Sequence, residues 1–548
     1  MDSDAKIIIY MIGDYDEGKL YDRLARVCPR LNWIFGINIT SLGLRALGWM
    51  CGSTLTGFGF VKVDANDNDI RLFLERCPML RGLVDGLPSS FLPVEDPSKD
   101  DSVVQTLVRS CPLLEELFLS SKTMTDRSME ELSPLCNLKR LTLAKSSVTR
   151  TGIQQFLESN TGSRLESLTF IHVEAFSTHD IDSLLDHPYS SIAINCKQLK
   201  VLCIATSTVF DDLSAALLET VLASCVNLEE LRVQDSNPFD LTNRDSILST
   251  LIAHCPNIVR LSLGGTFSEA VLLDLFRAYP RLTELWIWYL TDASIQAINL
   301  HCPLLERFLT NKVVSDAVVC QFFEAHPNLV ETPVIHSKAA LVSLAHSCPQ
   351  LTFLYMTLQY AGFDSSMFEA IGLCRNLMTL TITLGVALND EHAAALGKSC
   401  RRVRELTLNS DKISASSIVA LIQTARRLNV LTVTCTNQAV WMDLVTRLKG
   451  LDFKRRLCIH FTMSPTSKYK VELPELIVTN EITNEVVRHQ RIDNTLYNLC
   501  IDISIIVVAM SGYLMFGYLG TLAIRRVWRL KDACLLYYNV YMRVCSSK

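Results

Sequence analysis

No two cysteines stand as C-x-x-C in this chain of 548 residues, although it holds 19 of them. That spacing would be needed for a tight zinc site or a redox pair, so neither is indicated. The sequence also has no G-x-x-x-x-G-K-[ST], no G-x-S-x-G and no H-E-x-x-H. A phosphate-cradling loop, a nucleophile elbow and a zinc-protease helix are therefore without support. No catalytic residue, cofactor or metal ligand is expected, and the chain reads as non-enzymatic. An excess of positive charge is missing as well: 52 Lys and Arg stand against 57 Asp and Glu, for a net charge of −5. A whole-chain field that would draw in nucleic acid is absent, and nucleic acid is not expected as a partner. The N-terminus, Met1-Asp2-Ser3-Asp4, leads with acidic residues, and its apolar run ends before Gly13-Asp14. That is not a secretory signal. Only one N-glycosylation sequon is present, Asn38-Ile39-Thr40.

What is present is a repeat. Cys111-Pro112-Leu113-Leu114-Glu115-Glu116-Leu117-Phe118-Leu119 returns as Cys255-Pro256-Asn257-Ile258-Val259-Arg260-Leu261-Ser262-Leu263 and again from Cys348 to Met356. The general form is C-P-x-L-x-x-L-x-L. Numbered by the first leucine-type residue, sixteen copies run from Leu31 to Leu428 at intervals of 22 to 34 residues. Such a period marks a leucine-rich repeat solenoid. The end of each phrase alternates as a strand does. A second half follows that reads as a helix. It opens at Thr125-Asp126, Thr291-Asp292, Ser315-Asp316 and Asn389-Asp390, where short oxygen-bearing side chains can accept N–H groups of a first helical turn. It stops near Cys-Pro, since proline disfavours helix just before it. One unit cannot bury its leucines alone; stacking makes one continuous core.

A cysteine stands three residues before the first leucine in ten copies, with Tyr279 and His326 in its place in two others. Free cysteine packs as a small hydrophobe, so these thiols are expected buried and reduced. The pattern resembles the cysteine-containing class of leucine-rich repeats found in F-box/LRR proteins. The resemblance covers about residues 28–450. It implies an α/β, RNI-like solenoid: a right-handed horseshoe with a parallel sheet on its concave face and helices outside. It also implies a substrate-recognition role in a ubiquitin ligase. No F-box precedes the repeats, because Cys28-Pro29 already belongs to one.

The chain thus divides into an N-terminal cap (1–27), a solenoid of about sixteen repeats (28–461), a linker (462–500), a membrane helix (503–524) and a basic, aromatic tail (525–548). Two intervals are longer than the rest. The first carries the proline-rich stretch Leu87 to Pro97 and reads as a solvated loop. The second, Phe170 to Ser191, holds His172, Glu174, His179, Asp180 and His187 in no metal-ligand spacing, and these histidines are expected at the surface. Ile503 to Ile524 contains no charge, and 22 residues at about 1.5 Å each span a bilayer core. Arg525, Arg526, Arg529 and Lys531 follow it. The free cysteines and the missing signal place the solenoid in the cytosol, whereas the basic flank places the C-terminus there. A tail-anchored membrane protein with a cytosolic solenoid is the expectation; the alternative is a soluble cytoplasmic or nuclear protein.

Residues two, four and six after the first leucine face the concave side. Most are small or polar. One neighbourhood combines aromatics with charge: Glu284, Trp286 and Trp288 from one copy, Arg307 and Leu309 from the next, Phe353 and Tyr355 from two copies later. Such clusters are used at protein-binding hot spots. The leading reading is a protein-recognition scaffold held at a membrane through Ile503–Ile524, with a protein partner on the concave face. A ubiquitin-ligase substrate receptor meeting the ligase adaptor is the second. A lumenal or extracellular receptor ectodomain is the third.

Overall fold

A computed structural model describes residues 6–9, 32–84, 98–120, 124–144, 146–176, 187–205, 212–234, 244–287, 289–310, 315–332, 335, 337–358, 365–384, 387–410, 412–434, 438–449, 457–462, 470–473 and 476–481. The chain falls into two compact units, Met1–Leu282 with Trp286–Trp288, and Thr283–Leu285 with Tyr289–Lys548.

In the first unit each copy of the phrase becomes a strand, and each stretch between copies becomes a helix. The strands Trp33–Thr40, Gly57–Asp64, Gly82–Val84, Glu116–Ser120, Arg140–Ala144, Ser167–Ile171, Val201–Ala205, Glu230–Gln234 and Arg260–Leu263 pair in chain order, all parallel. Parallel neighbours need a crossover, and helices such as Asp67–Glu75, Arg150–Glu158 and Asp245–His254 supply it. A further strand, Lys6–Ile9, pairs in parallel with Trp33–Thr40 and lies within the stretch read as a cap. The register puts like on like. Leu117, Leu141, Leu168, Leu202, Leu231 and Leu261 form one row across six strands, and all are buried. That row is the continuous core that the repeat period implies.

The second unit repeats the plan. The strands Phe353–Leu358, Thr379–Leu384, Glu405–Asn409, Val430–Thr434, Leu457–Thr462 and Leu476–Glu481 are parallel and in order, apart from an antiparallel edge strand, Lys470–Leu473. The copy at Leu329 departs from the others. Among the described residues it makes only isolated bridges, Arg307 to Glu331 and Ile335 to Met356. Its phrase reads Leu329-Val330-Glu331-Thr332-Pro333, so a threonine stands where the second leucine belongs and a proline removes the next ladder donor. The stretch read as a linker from residue 462 begins with two strands; the alternation Lys470-Val471-Glu472-Leu473 accounts for the first.

The insertion Phe170 to Ser191 differs from expectation. His187 is fully buried rather than at the surface. It stacks on Tyr189 at 4.9 Å, and Phe176 meets both rings edge-on. Its Nδ1 also accepts the Tyr189 N–H at the start of the helix Pro188–Asn195, so the residue caps a helix while filling a core. Spacing does not distinguish such a histidine from a solvated one. His179 and Asp180 lie outside the described residues, and so do Ile503–Ile524 and the basic tail. Among the described residues no helix is long and apolar enough to cross a membrane.

Candidate functional site

Along each strand, alternate side chains enter the core beside the helices, and the others face away from it. The two units use that outer face differently. In the first unit it is mostly buried among the described residues, with Glu116, Arg140, Val201, Arg232 and Arg260 half-buried. The strand Ser167–Ile171 is buried at every position, and Thr169 retains 1% of its surface. Phe118, Thr142, Ala144, Cys203 and Ala205 on the same face are buried too. Charge there is paired: Arg140 Nη2 donates to Glu116 Oε2 at 3.1 Å. Glu230 receives Arg232 Nε at 2.5 Å and Arg260 Nε at 2.6 Å, with 6% of its side chain exposed. Burial alone would raise the Glu230 pKa, but the two guanidiniums outweigh it and hold the carboxyl below its ordinary range.

In the second unit the outer face is more open, although Thr379 and Val430 on it are buried. The strands Thr379–Leu384 and Glu405–Asn409 alternate buried leucine-type residues with half-exposed Thr381, Thr383, Glu405, Thr407 and Asn409. Phe353 and Tyr355 on the preceding strand are half-buried and register with Thr379 and Thr381. The Tyr355 hydroxyl and the Thr383 hydroxyl are 3.2 Å apart, and Asn409 Nδ2 donates to Thr383 Oγ1 at 3.4 Å. The result is an aromatic pair set beside a polar ladder, with side chains held by one another and still reachable from solvent.

The sequence-derived residues are placed as follows. Phe353 and Tyr355 share a strand on that open face. Arg307 belongs to the same unit, but its Nη1 is paired with Glu331 Oε2 at 3.4 Å, and both side chains are largely covered. Leu309 is half-buried two residues on. Glu284 is buried, with 9% of its surface exposed, and belongs to the second unit; Trp286, half-buried, belongs to the first. Trp288 lies outside the described residues. Thr381 and Thr383 are among the polar concave-face positions of the sequence, but the ladder they form with Asn409, and the Glu331 partner of Arg307, lie outside the sequence-derived cluster. The same count from the first leucine reaches all of them, but single polar residues at those positions do not differ from those of most other copies. No group of three or more His, Cys, Asp and Glu side chains is placed to hold a metal ion among the described residues.

No protein-family model matches this chain, and no curated protein does. Solved structures that resemble it include yeast Rad7 in its complex with Elc1, 16% identical, with a TM-score of 0.42, covering 84% of this chain and 91% of that one. An internalin from Listeria monocytogenes is 13% identical, with a TM-score of 0.30, covering 65% and 81%. TLR13 in its complex with ssRNA13 is 12% identical, with a TM-score of 0.27, covering 84% and 79%. Likeness at this level carries no argument about function; the leucine rows and parallel strands stand on their own.

Proposed function

We propose that this chain is a non-enzymatic protein-recognition scaffold that uses the open outer face of its second unit. One observation carries the reading. Half-exposed Phe353 and Tyr355 stand beside Thr381, Thr383 and Asn409 on a rigid sheet whose other face is core. Aromatic anchors ringed by polar groups are what protein partners select, and a stacked solenoid presents them over an extended surface. Arg307 and Leu309, of the same unit, stay part of the proposed contact surface. The charge-free segment Ile503–Ile524 supports tethering to a membrane. The test is quantitative proximity labelling or pull-down with the full chain and with Phe353→Ala/Tyr355→Ala. The double variant is expected to lose a defined subset of partners; an unchanged partner set sinks the reading.

The repeated C-P-x-L-x-x-L-x-L phrase favours a second reading, a substrate receptor of a ubiquitin ligase. Cullin and adaptor would then co-purify in stoichiometric amount with the full chain. Their absence from a well-folded preparation rejects it.

A further inference from the structure

The turn that joins helix to strand changes character over three consecutive coils of the second unit. Earlier turns read Cys255-Pro256-Asn257, Cys302-Pro303-Leu304 and Cys348-Pro349-Gln350. The next three read Cys374-Arg375-Asn376, Cys400-Arg401-Arg402 and Ala425-Arg426-Arg427. Because the coils stack in register, the arginines form two rows. Arg375, Arg401 and Arg426 occupy one, and Arg402 and Arg427 the other, with Asn376 at its head. All five are exposed. Arg402 Nη1 donates to Asn376 Oδ1 at 3.1 Å, which ties neighbouring coils within the second row. Among the described residues none of the five makes an ion pair. Between the first two turns lies a cleft of about 310 Å³ lined by Arg375, Arg401, Arg402, Ser399 and Gly372.

Helix C-termini attract cations, and the helices Ser365–Leu373, Asp390–Ser399 and Ala415–Thr424 end at these turns. That cannot be the whole account, since the helices Asp245–His254, Asp292–His301 and Lys338–Ser347 end at the same place in their coils and are followed by Cys-Pro. The difference between the two sets is charge without an internal partner, gathered at coil spacing.

We infer that the arginine rows of Arg375, Arg401, Arg402, Arg426 and Arg427 bind an acidic segment of a partner protein. Neighbouring coils stand about 4.8 Å apart, and an extended peptide advances about 3.3 Å per residue, so a run of Asp and Glu can meet both rows at short intervals. Guanidinium groups take carboxylates in a two-pronged hydrogen bond. A single-stranded nucleic acid is a poorer fit, because it draws on aromatic stacking and the described residues of these turns include no exposed aromatic. A membrane surface is poorer too, because the only large apolar side chain exposed among the described residues of these turns is Leu373. The surface lies at the helix-to-strand turns rather than on the outer sheet face, so it is independent of the contact site around Tyr355.

The test uses the full chain and measures binding of a polyglutamate peptide, a glycine-serine peptide, an oligothymidylate and phosphatidylserine vesicles. Polyglutamate is expected to bind at least about tenfold more tightly than the neutral peptide, and to weaken as salt screens the charges. Arg401→Glu/Arg402→Glu/Arg427→Glu removes that preference. Arg127→Glu/Arg277→Glu, which alters charge on other exposed helices, keeps it, as does Tyr355→Ala. Equal binding of polyglutamate and neutral peptide overturns the inference. So does tighter binding of the oligonucleotide or the vesicles, or an equal loss in the two charge variants.

Discussion

The cysteine before each strand does more than fill space. Cys111 Sγ donates to the carbonyls of Cys77 and Leu74 at 3.4 and 3.7 Å, Cys225 to Cys196 at 3.4 Å, and Cys255 to Leu222 at 3.3 Å. Each thiol reaches one coil back, to carbonyls that a helix end leaves without an intrahelical partner. Burial pushes the Cys255 and Cys348 thiols up to about 12, so they keep the proton they donate. Two of the six copies without this cysteine carry a polar ring in its place. Tyr279 donates to the Leu251 carbonyl at 2.7 Å, and His326 Nε2 lies 3.1 Å from the Cys302 carbonyl. Where tyrosine or histidine replaces the cysteine, the polar contact to the preceding coil is kept, whereas the copies with Gly52, Leu135, Gly162 and Ala425 at this place do without it. Tyr279→Phe keeps the ring and loses the bond; it is expected to cost about 1 kcal/mol in urea unfolding, and an unchanged midpoint would refute the donor role. His326 provides a pH test. Its burial outweighs two nearby carbonyls and lowers its pKa below the ordinary histidine value. The unfolded chain then binds the proton first, so stability falls as pH drops below about 6.5. His326→Tyr, which copies position 279, is expected to lose less stability than the parent between neutral and mildly acid pH. Equal losses would show that other groups govern that range.

At the scale of an element, the Thr-Asp opening divides two tasks. The first residue caps its own helix: Thr291 Oγ1 accepts the Ser294 N–H at 3.1 Å, and Asn389 Oδ1 accepts that of His392 at 2.7 Å. The aspartate reaches the next coil. Asp126, Asp245 and Asp292 accept the backbone N–H of Thr149, Ser268 and Ser315 at 2.8, 2.7 and 3.0 Å. Coils are therefore tied at both helix ends, by thiols at one and carboxylates at the other. Asp245→Ala is expected to speed hydrogen exchange at the Ser268 amide selectively; unchanged protection would show that the tie contributes nothing. Helices also touch closely. A Cβ on Gly397 would lie 2.8 Å from the Leu421 carbonyl oxygen and nearer still to the Thr424 hydroxyl. Gly397→Ala is expected to destabilise by about 1–3 kcal/mol through overpacking of the helices Asp390–Ser399 and Ala415–Thr424. A variant as stable as the parent would show that the helices can part.

For the whole molecule, the two units vary one design: the outward face is largely buried and ion-paired in the first, and largely half-open and hydroxyl-rich in the second. If Ile503–Ile524 tethers the chain, carbonate washing leaves the full-length protein on membranes, and charged substitutions within the segment release it. Release of the unaltered protein would reject the tether. The sequence alone determined the coil, because a residue that must be buried every third, then every second, position admits few structures at that period. It determined the leucine rows, the helix starts and the cysteine positions, since each is a local pattern repeated many times. Tertiary structure decided what local pattern cannot hold. His187 became core because Phe176 and Tyr189 close around it. Thr169 and Thr381 are the same residue type at the same position of the phrase, yet only Thr381 faces an open surface. Which outward side chains keep their solvent depends on the residues packed around them. That is long-range packing, and no repeat period encodes it.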